Sequence, residues 1–243
     1  MAERKRPRIP VPARVERALD TALDHALNIE RPMVLAYLDR ARRKYPWMTP
    51  AQLVTRLERQ YLTGVAGIGG AAGATAALPG VGMPAAIAAG GAEITAFVSA
   101  SALYVLALAE IHGVPLHDPA VRRALVLSVL VGDASEVAIE GIRRGESRWA
   151  YVISRPVGAD RDAITVLNTQ LVKLLIRRTG TRQTALLLGR AVPLGIGAVI
   201  GAGGNLTLAR GAITAARRAF GPAPATFPPR VVDVDVPEVD DAG

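Results

Sequence analysis

The sequence predicts an all-α protein, a multi-helix bundle in which a glycine-rich helical hairpin packs near a second glycine-rich helix. Three observations predict it. Apolar residues recur at the spacing of a helix face along most of the chain. Capping residues and prolines fall between these periodic stretches and punctuate them. Two long segments are rich in Gly and Ala and nearly free of charge.

Residues 1–12 hold Pro7, Pro10 and Pro12 among Arg and Lys, and read as a disordered basic arm. A single helical domain is expected over 13–221. Its first helix runs from about Ala13 to Ile29, with Val15, Ala18, Leu19, Ala22, Leu23, Ala26 and Leu27 on one face. Pro32 opens a second helix, ending in Arg40, Arg42, Arg43 and Lys44, where cations suit the negative end of the helix dipole. Thr49-Pro50-Ala51-Gln52 reads as a capping box with proline at the first helical position. Leu53, Val54, Leu57 and Tyr61 follow at helical spacing.

Between Arg59 and Arg122 there is no Lys or Arg, and the acids are Glu93, Glu110 and Asp118 alone. Two prolines and two glycines in Leu78-Pro79-Gly80-Val81-Gly82-Met83-Pro84 predict a turn. A long apolar helix is expected from Ala85 to His112, closed by Gly113 and Pro115. Asp118-Pro119 caps the next, which runs toward Arg144 with a break near Gly132. Trp149 to Gly158 is β-branched but too short to argue a sheet. Helices follow over 162–178 and 181–192, and then the second charge-free segment, Ala191 to Ala209, with a basic end at Arg210, Arg217 and Arg218. Residues 222–243, with Pro222, Pro224, Pro228 and Pro229 ahead of five acids, read as a disordered tail.

Half of the 243 residues are apolar and aromatics make up 4%. The strong preference for Arg over Lys, with abundant Ala and Gly, fits a GC-rich bacterial genome. There is no cysteine, which excludes disulfides, thiolate metal sites and cysteine nucleophiles. No apolar stretch of the kind found in secretory signals follows the basic start. All 29 bases precede Val231, against 16 acids in the same span, so a basic body carries an acidic tail. Such a body suits anionic partners.

The two charge-free segments share a pattern. Gly67-Ile68-Gly69-Gly70-Ala71-Ala72-Gly73-Ala74 matches Gly195-Ile196-Gly197-Ala198-Val199-Ile200-Gly201-Ala202 at its outer positions. Glycines four apart, Gly69 with Gly73 and Gly197 with Gly201, share a helix face and allow close backbone approach, the logic of small residues in membrane helix pairs. Gly67, Gly69, Gly73, Gly195, Gly197 and Gly201 are therefore the expected helix-packing or membrane-contact residues. A glycine-packed core in a soluble bundle is the alternative. Arginines flank both ends of each segment, so re-entry or burial is expected over a single span.

Other signals fail on context. Gly67 to Ala72 fits a dinucleotide fingerprint by letter, but a helix precedes it where a strand is needed. His25, His112 and His117 lack metal-ligand spacing. Ser99 and Ser101 lie in an apolar helix, where bonding to the preceding turn accounts for them. Dispersed arginines with few aromatics argue against nucleic acid. No catalytic, cofactor or metal residue is expected. Glu93 and Asn205 are each a polar residue in an apolar segment. A buried hydrogen bond that sets helix register is the simpler reading, and a polar contact for a partner or ion the functional one.

Leu78-Pro79-Gly80-Val81-Gly82, the helix ending near His112-Gly113, and the block from Ile196 to Asn205 together resemble the EcsC protein family. Gly197, Ala198, Gly201, Ala202 and Asn205 fit the family's C-terminal glycine block, and Glu93 stands where the family has Asp. The resemblance covers roughly Ala51 to Gly221. These bacterial proteins take their name from an operon with an ABC transporter and have no established activity. The resemblance implies a membrane-linked helical protein and transfers no catalytic residue. The expectation is a non-enzymatic accessory or scaffold protein at the cytoplasmic face of the inner membrane, meeting lipids or a membrane protein such as an ABC transporter. The alternative is a soluble, cytoplasmic helical interaction module.

Overall fold

A computed structural model describes residues 31–76, 83–114, 118–132, 164–175 and 196–229. The expected arm, the helices over 13–29 and 181–192, the turn at 78–82, the segment 149–158 and the acidic residues after Arg230 lie outside them. The described residues form six helices packed as a bundle, with no strand among them. They are α1 (Arg31–Lys44), α2 (Pro50–Ala76), α3 (Met83–His112), α4 (Pro119–Val131), α5 (Ile164–Leu175) and α6 (Ile196–Phe220).

Local chemistry sets the ends of these helices. At the start of α2, the Thr49 amide donates to Gln52 Oε1 across 2.9 Å and the Gln52 amide donates to Thr49 Oγ1 across 3.3 Å, a reciprocal capping box. At the start of α4 the Asp118 carboxylate accepts from the Ala120 amide at 2.7 Å, with Pro119 at the first helical position. Helix α3 stops at Gly113, whose φ of +67° is left-handed. The Val114 amide reaches the Ala109 carbonyl at 3.0 Å and the Gly113 amide the Glu110 carbonyl at 3.3 Å, the paired bonds of a Schellman motif.

Helix α2 is longer than its amphipathic start suggested. It continues through Gly64, Gly67, Gly69, Gly70 and Gly73 to Ala76 without a break. Each glycine in a helix interior costs about 1 kcal/mol relative to Ala, so packing by other helices has to hold this half of α2 helical. Its broadest partner is α6, followed by α3.

Three long-range contacts fix the directions. Asn205 of α6 meets Glu93 of α3, and Phe220 of α6 meets His112 of α3, so these two helices run parallel. Tyr61 of α2 meets Ser101 of α3, and only the six residues 77–82 separate α2 from α3, so that pair is antiparallel. Helix α2 is then antiparallel to α6, as its Glu58–Arg217 contact near the far end of α6 requires.

Helix α3 is the core helix. It touches α1, α2, α4 and α6, and every residue from Tyr104 to Ala109 is buried. Ala92–His112 is long and apolar enough to cross a bilayer by length and composition. More than half of that stretch is covered by protein, which also explains an apolar helix without a polar face. Helix α4 is buried from Ala124 to Val131, and Asn168 of α5 donates to the Ala120 carbonyl at its start across 3.1 Å.

By their prolines, residues 222–229 are predicted to be part of a disordered tail, and the structure differs. They lie against the bundle: Phe227 packs on the core, and Pro228 sits where a Cβ on Gly113 would meet it at 3.1 Å. An aromatic ring with apolar surface to cover offsets the poor helix and strand prospects of its proline neighbours.

Candidate functional site

Among the described residues, the buried polar side chains of Glu58, Ser101, His112 and Asn205 lie on α2, α3 and α6, which pack on one another along a common seam. On α2, Val54, Leu57, Glu58, Tyr61 and Val65 follow the spacing of one helix face, and that face is turned inward. Glu58 is therefore carried into the core by its neighbours and is 6% exposed. Arg217 of α6 grips it from the rim. Its Nε donates to Oε1 at 2.8 Å and its Nη2 to Oε2 at 2.6 Å. This fork-on-fork geometry gives two parallel charge-assisted bonds. The Arg217 guanidinium is held further toward its charged form by the bonds to Glu58 and by the nearby carboxylate charge.

One turn along α2, the Tyr61 ring stacks on Tyr104 of α3, centroids 4.7 Å apart and planes within 5°. Ser101 donates to the Phe97 carbonyl at 2.7 Å, which occupies its single proton, so the Tyr61 hydroxyl donates to Ser101 Oγ at 2.7 Å. Burial pushes the Tyr61 phenol up to about 12, against a small opposing effect of the Ser101 bond. The Tyr104 phenol is pushed up too, first by burial and then by the charge of Glu58. Both phenols stay neutral at physiological pH. Ser101 gives its proton to a carbonyl and accepts from Tyr61, and among the described residues no histidine or carboxylate bonds to its oxygen.

Further along the seam, Asn205 Nδ2 donates to Glu93 Oε1 at 2.9 Å. The sequence singled out these two residues separately, and the fold brings them together. At the opposite end, His112 Nδ1 bonds the Leu108 carbonyl at 2.8 Å, which fixes the proton on that nitrogen. The ring packs on Phe220 at 5.1 Å. His112 is thus built into the end of α3, while His25 and His117 lie outside the described residues. No group of three or more His, Asp or Glu side chains placed to hold a metal occurs among the described residues.

The glycines separate into two kinds. Gly69 is buried in the body of α2, whereas Gly67 is exposed. A Cβ added at Gly64, Gly67, Gly70 or Gly203 would meet nothing within 4 Å. Gly73, Gly197 and Gly201 lie on the helical stretches of α2 and α6, and Gly195 lies outside the described residues. Nothing in the sequence alone joins Glu58, Tyr61, Tyr104 and Arg217 as a group. For Glu58 the signal was present, because it falls on the apolar face of α2 in the spacing of Val54, Leu57, Tyr61 and Val65.

The chain matches no family model, no curated protein and no solved structure.

Proposed function

We propose that this chain is a non-enzymatic accessory or scaffold protein of the cytoplasmic face of the inner membrane, related to the EcsC proteins and working beside a membrane protein such as an ABC transporter. The observation that carries the reading is where the charge-free segments lie. Helix directions put the end of α2 from Gly64, the start of α3 before Glu93, and the start of α6 before Arg210 at one end of the bundle. Among the described residues, the glycine-rich stretches of α2, α3 and α6 that meet at this end carry no basic residue. From Gly64 to Ala76 this end extends for about 18 Å at 1.5 Å per residue. That is short of the ~30 Å of a bilayer core, so it dips in and returns. Glu93 is the costly residue there, and its bond to Asn205 offsets part of that cost.

The open glycines favour this reading over a glycine-packed soluble core. Among the described residues, none comes within 4 Å of a Cβ added at Gly64, Gly67, Gly70 or Gly203, so no packing there uses their missing Cβ atoms. Smooth glycine surfaces suit close contact with an external helix or with lipid.

The second reading, a soluble helical interaction module, is favoured by α3. Its stretch Ala92–His112 is mostly covered by protein, as the core helix of a water-soluble bundle would be.

Fractionation at low salt without detergent decides between them. Recovery in the membrane fraction, resistant to a salt wash, is expected. Recovery of the whole protein in the soluble fraction sinks the membrane reading. Gly67→Arg should release the protein from the membrane with its melting temperature nearly unchanged, because the side chain enters open space.

A further inference from the structure

The end of the bundle opposite the glycines is basic. Arg40, Arg42, Arg43 and Lys44 close α1, and all four are exposed. Cations at a helix C-terminus are ordinarily explained by the dipole. Here a second feature meets them. After α6 the chain turns at Gly221, with φ +73°, crosses Gly113 at the end of α3, and packs Phe227 on the core beside α1, where the ring forms one wall of a cavity. That cavity is about 240 Å³ and is lined by Ala41, Arg42, Tyr45, Met48 and Leu53 besides Phe227 itself. The Arg42 guanidinium lies over the Phe227 ring, 4.2 Å from its centroid, a cation–π contact. The last described residue, Pro229, therefore lies next to the basic end of α1.

The residues that follow carry Asp233, Asp235, Glu238, Asp240 and Asp241 and no base. An extended chain advances ~3.3–3.6 Å per residue. From Phe227, a contact of Arg42, Asp233 and Asp235 have a reach of roughly 20 Å or more. Phe227 thus tethers an acidic segment to a basic helix end at short range, and tethering raises the local concentration of one for the other into the millimolar range or above.

We propose that the acidic tail is an intramolecular ligand of the basic end of α1, delivered there by the Phe227 anchor, and that it shields Arg40, Arg42, Arg43 and Lys44 from external anions. The pairing is electrostatic and exposed, so it weakens with salt. It does not depend on where the glycine end of the bundle goes.

Lys44 makes the pairing testable, because the chain has only two other lysines, Lys5 and Lys173. Carbodiimide treatment of the full-length protein at low salt joins a carboxylate to a lysine amine it touches. The expected product links Lys44 to one of the acids between Asp233 and Asp241. It should vanish in ~1 M salt, where the Debye length is ~3 Å, and in Lys44→Arg. Phe227→Ala should reduce its yield several-fold. Tail crosslinks to Lys173 at equal yield, or none to Lys44, would overturn the proposal. A second arm uses the variant with all five tail acids changed to their amides and vesicles of anionic phosphatidylglycerol. Removing the shield should tighten vesicle binding several-fold, and unchanged binding overturns the shielding role. A Lys44 crosslink in a protein that binds vesicles in neither form sustains the tail contact, while the membrane reading and the shielding role both fail.

Discussion

Asn205 and Glu93, 112 positions apart in sequence, share a hydrogen bond of 2.9 Å between α6 and α3. Asn205 is 8% exposed and its amide donates to a carboxylate. Bonds to charged groups are worth about 1.5–3 kcal/mol, and a buried partner left behind costs more than the pair gains. The bond also sets register, since sliding α6 by one residue along α3 would rotate Asn205 away from Glu93.

Asn205→Ala should therefore destabilise the protein by about 1–3 kcal/mol in chemical denaturation. Glu93→Gln keeps an acceptor oxygen for Asn205 and should cost less than half as much. A double-mutant cycle on Glu93→Ala and Asn205→Ala should give a coupling of at least ~0.5 kcal/mol. Additive losses would mean that the two side chains do not depend on each other.

The Glu58–Arg217 pair is asymmetric. The Arg217 side chain is 66% exposed and that of Glu58 is 7% exposed. Losing the exposed partner leaves a carboxylate in the core, so Arg217→Ala should cost about 2 kcal/mol, below the 3–5 of fully buried pairs because water still reaches the rim. Glu58→Leu with Arg217→Ala removes both charges and fills the space with an apolar group. Urea denaturation should find this double variant more stable than Arg217→Ala alone. The reverse order would show that the carboxylate has a further necessary partner.

The glycines differ in what surrounds them, and substitution should show it. Gly64→Ala, Gly67→Ala and Gly70→Ala each add a methyl group to open space and restrict the unfolded chain. Each should raise stability by up to ~1 kcal/mol. Gly69→Leu, at a buried position of the same helix, should lower it by about 1–3 kcal/mol through overpacking. Thermal melts of the four variants separate glycines that serve the fold from those left for a partner.

How much of this was legible depended on the range of the interaction. Thr49 with Gln52 and Asp118 with Ala120 are local, and the spacing of letters was enough to read both caps. Glu93 and Asn205 stood out as polar residues in apolar segments, but which residue each would meet is a tertiary matter. Glu58 and Arg217 are 159 positions apart, and Arg217 read as an ordinary basic helix end. Phe227 was hidden by its prolines, which spoil helix and strand periods and make a segment look unstructured even when one ring anchors it. A lone Phe in such a stretch, in a chain with only three, was the available signal. The length of α2 could not be read from propensity, because its glycines oppose helix formation and only contact with α6 and α3 overrules them.

Gly113 serves two constraints at once. Its φ of +67° favours glycine, and an added Cβ would lie 3.1 Å from Pro228 Cβ. Gly113→Ala should cost about 1–2 kcal/mol from the backbone alone. It should also push the 222–229 segment off the bundle, and so make a further Phe227→Ala change nearly silent. Phe227→Ala in the wild-type background should cost more than it does beside Gly113→Ala. Equal costs in the two backgrounds would show that the clash is absorbed without moving the 222–229 segment.

Alkaline pH probes the stacked tyrosines. The folded protein holds the Tyr61 phenol at about 12, above the ordinary value of 10, and raises that of Tyr104 in the same direction. Above pH 10 the unfolded chain releases these protons while the folded one keeps them. Stability then falls with rising pH, by about 1.4 kcal/mol per pH unit for each phenol. The stabilisation is fully present below pH 10 and is lost through the window from 10 to about 12. Denaturation midpoints should therefore drop steeply above pH 10, and Tyr61→Phe should flatten the drop by about half. Tyrosinate absorbance should appear for the buried pair only as the fold is lost, in one step with the helical circular dichroism signal. A smooth titration of all five tyrosines near 10 in the still-folded protein would mean that water reaches the Tyr61–Tyr104 stack, and that the seam between α2 and α3 opens in solution.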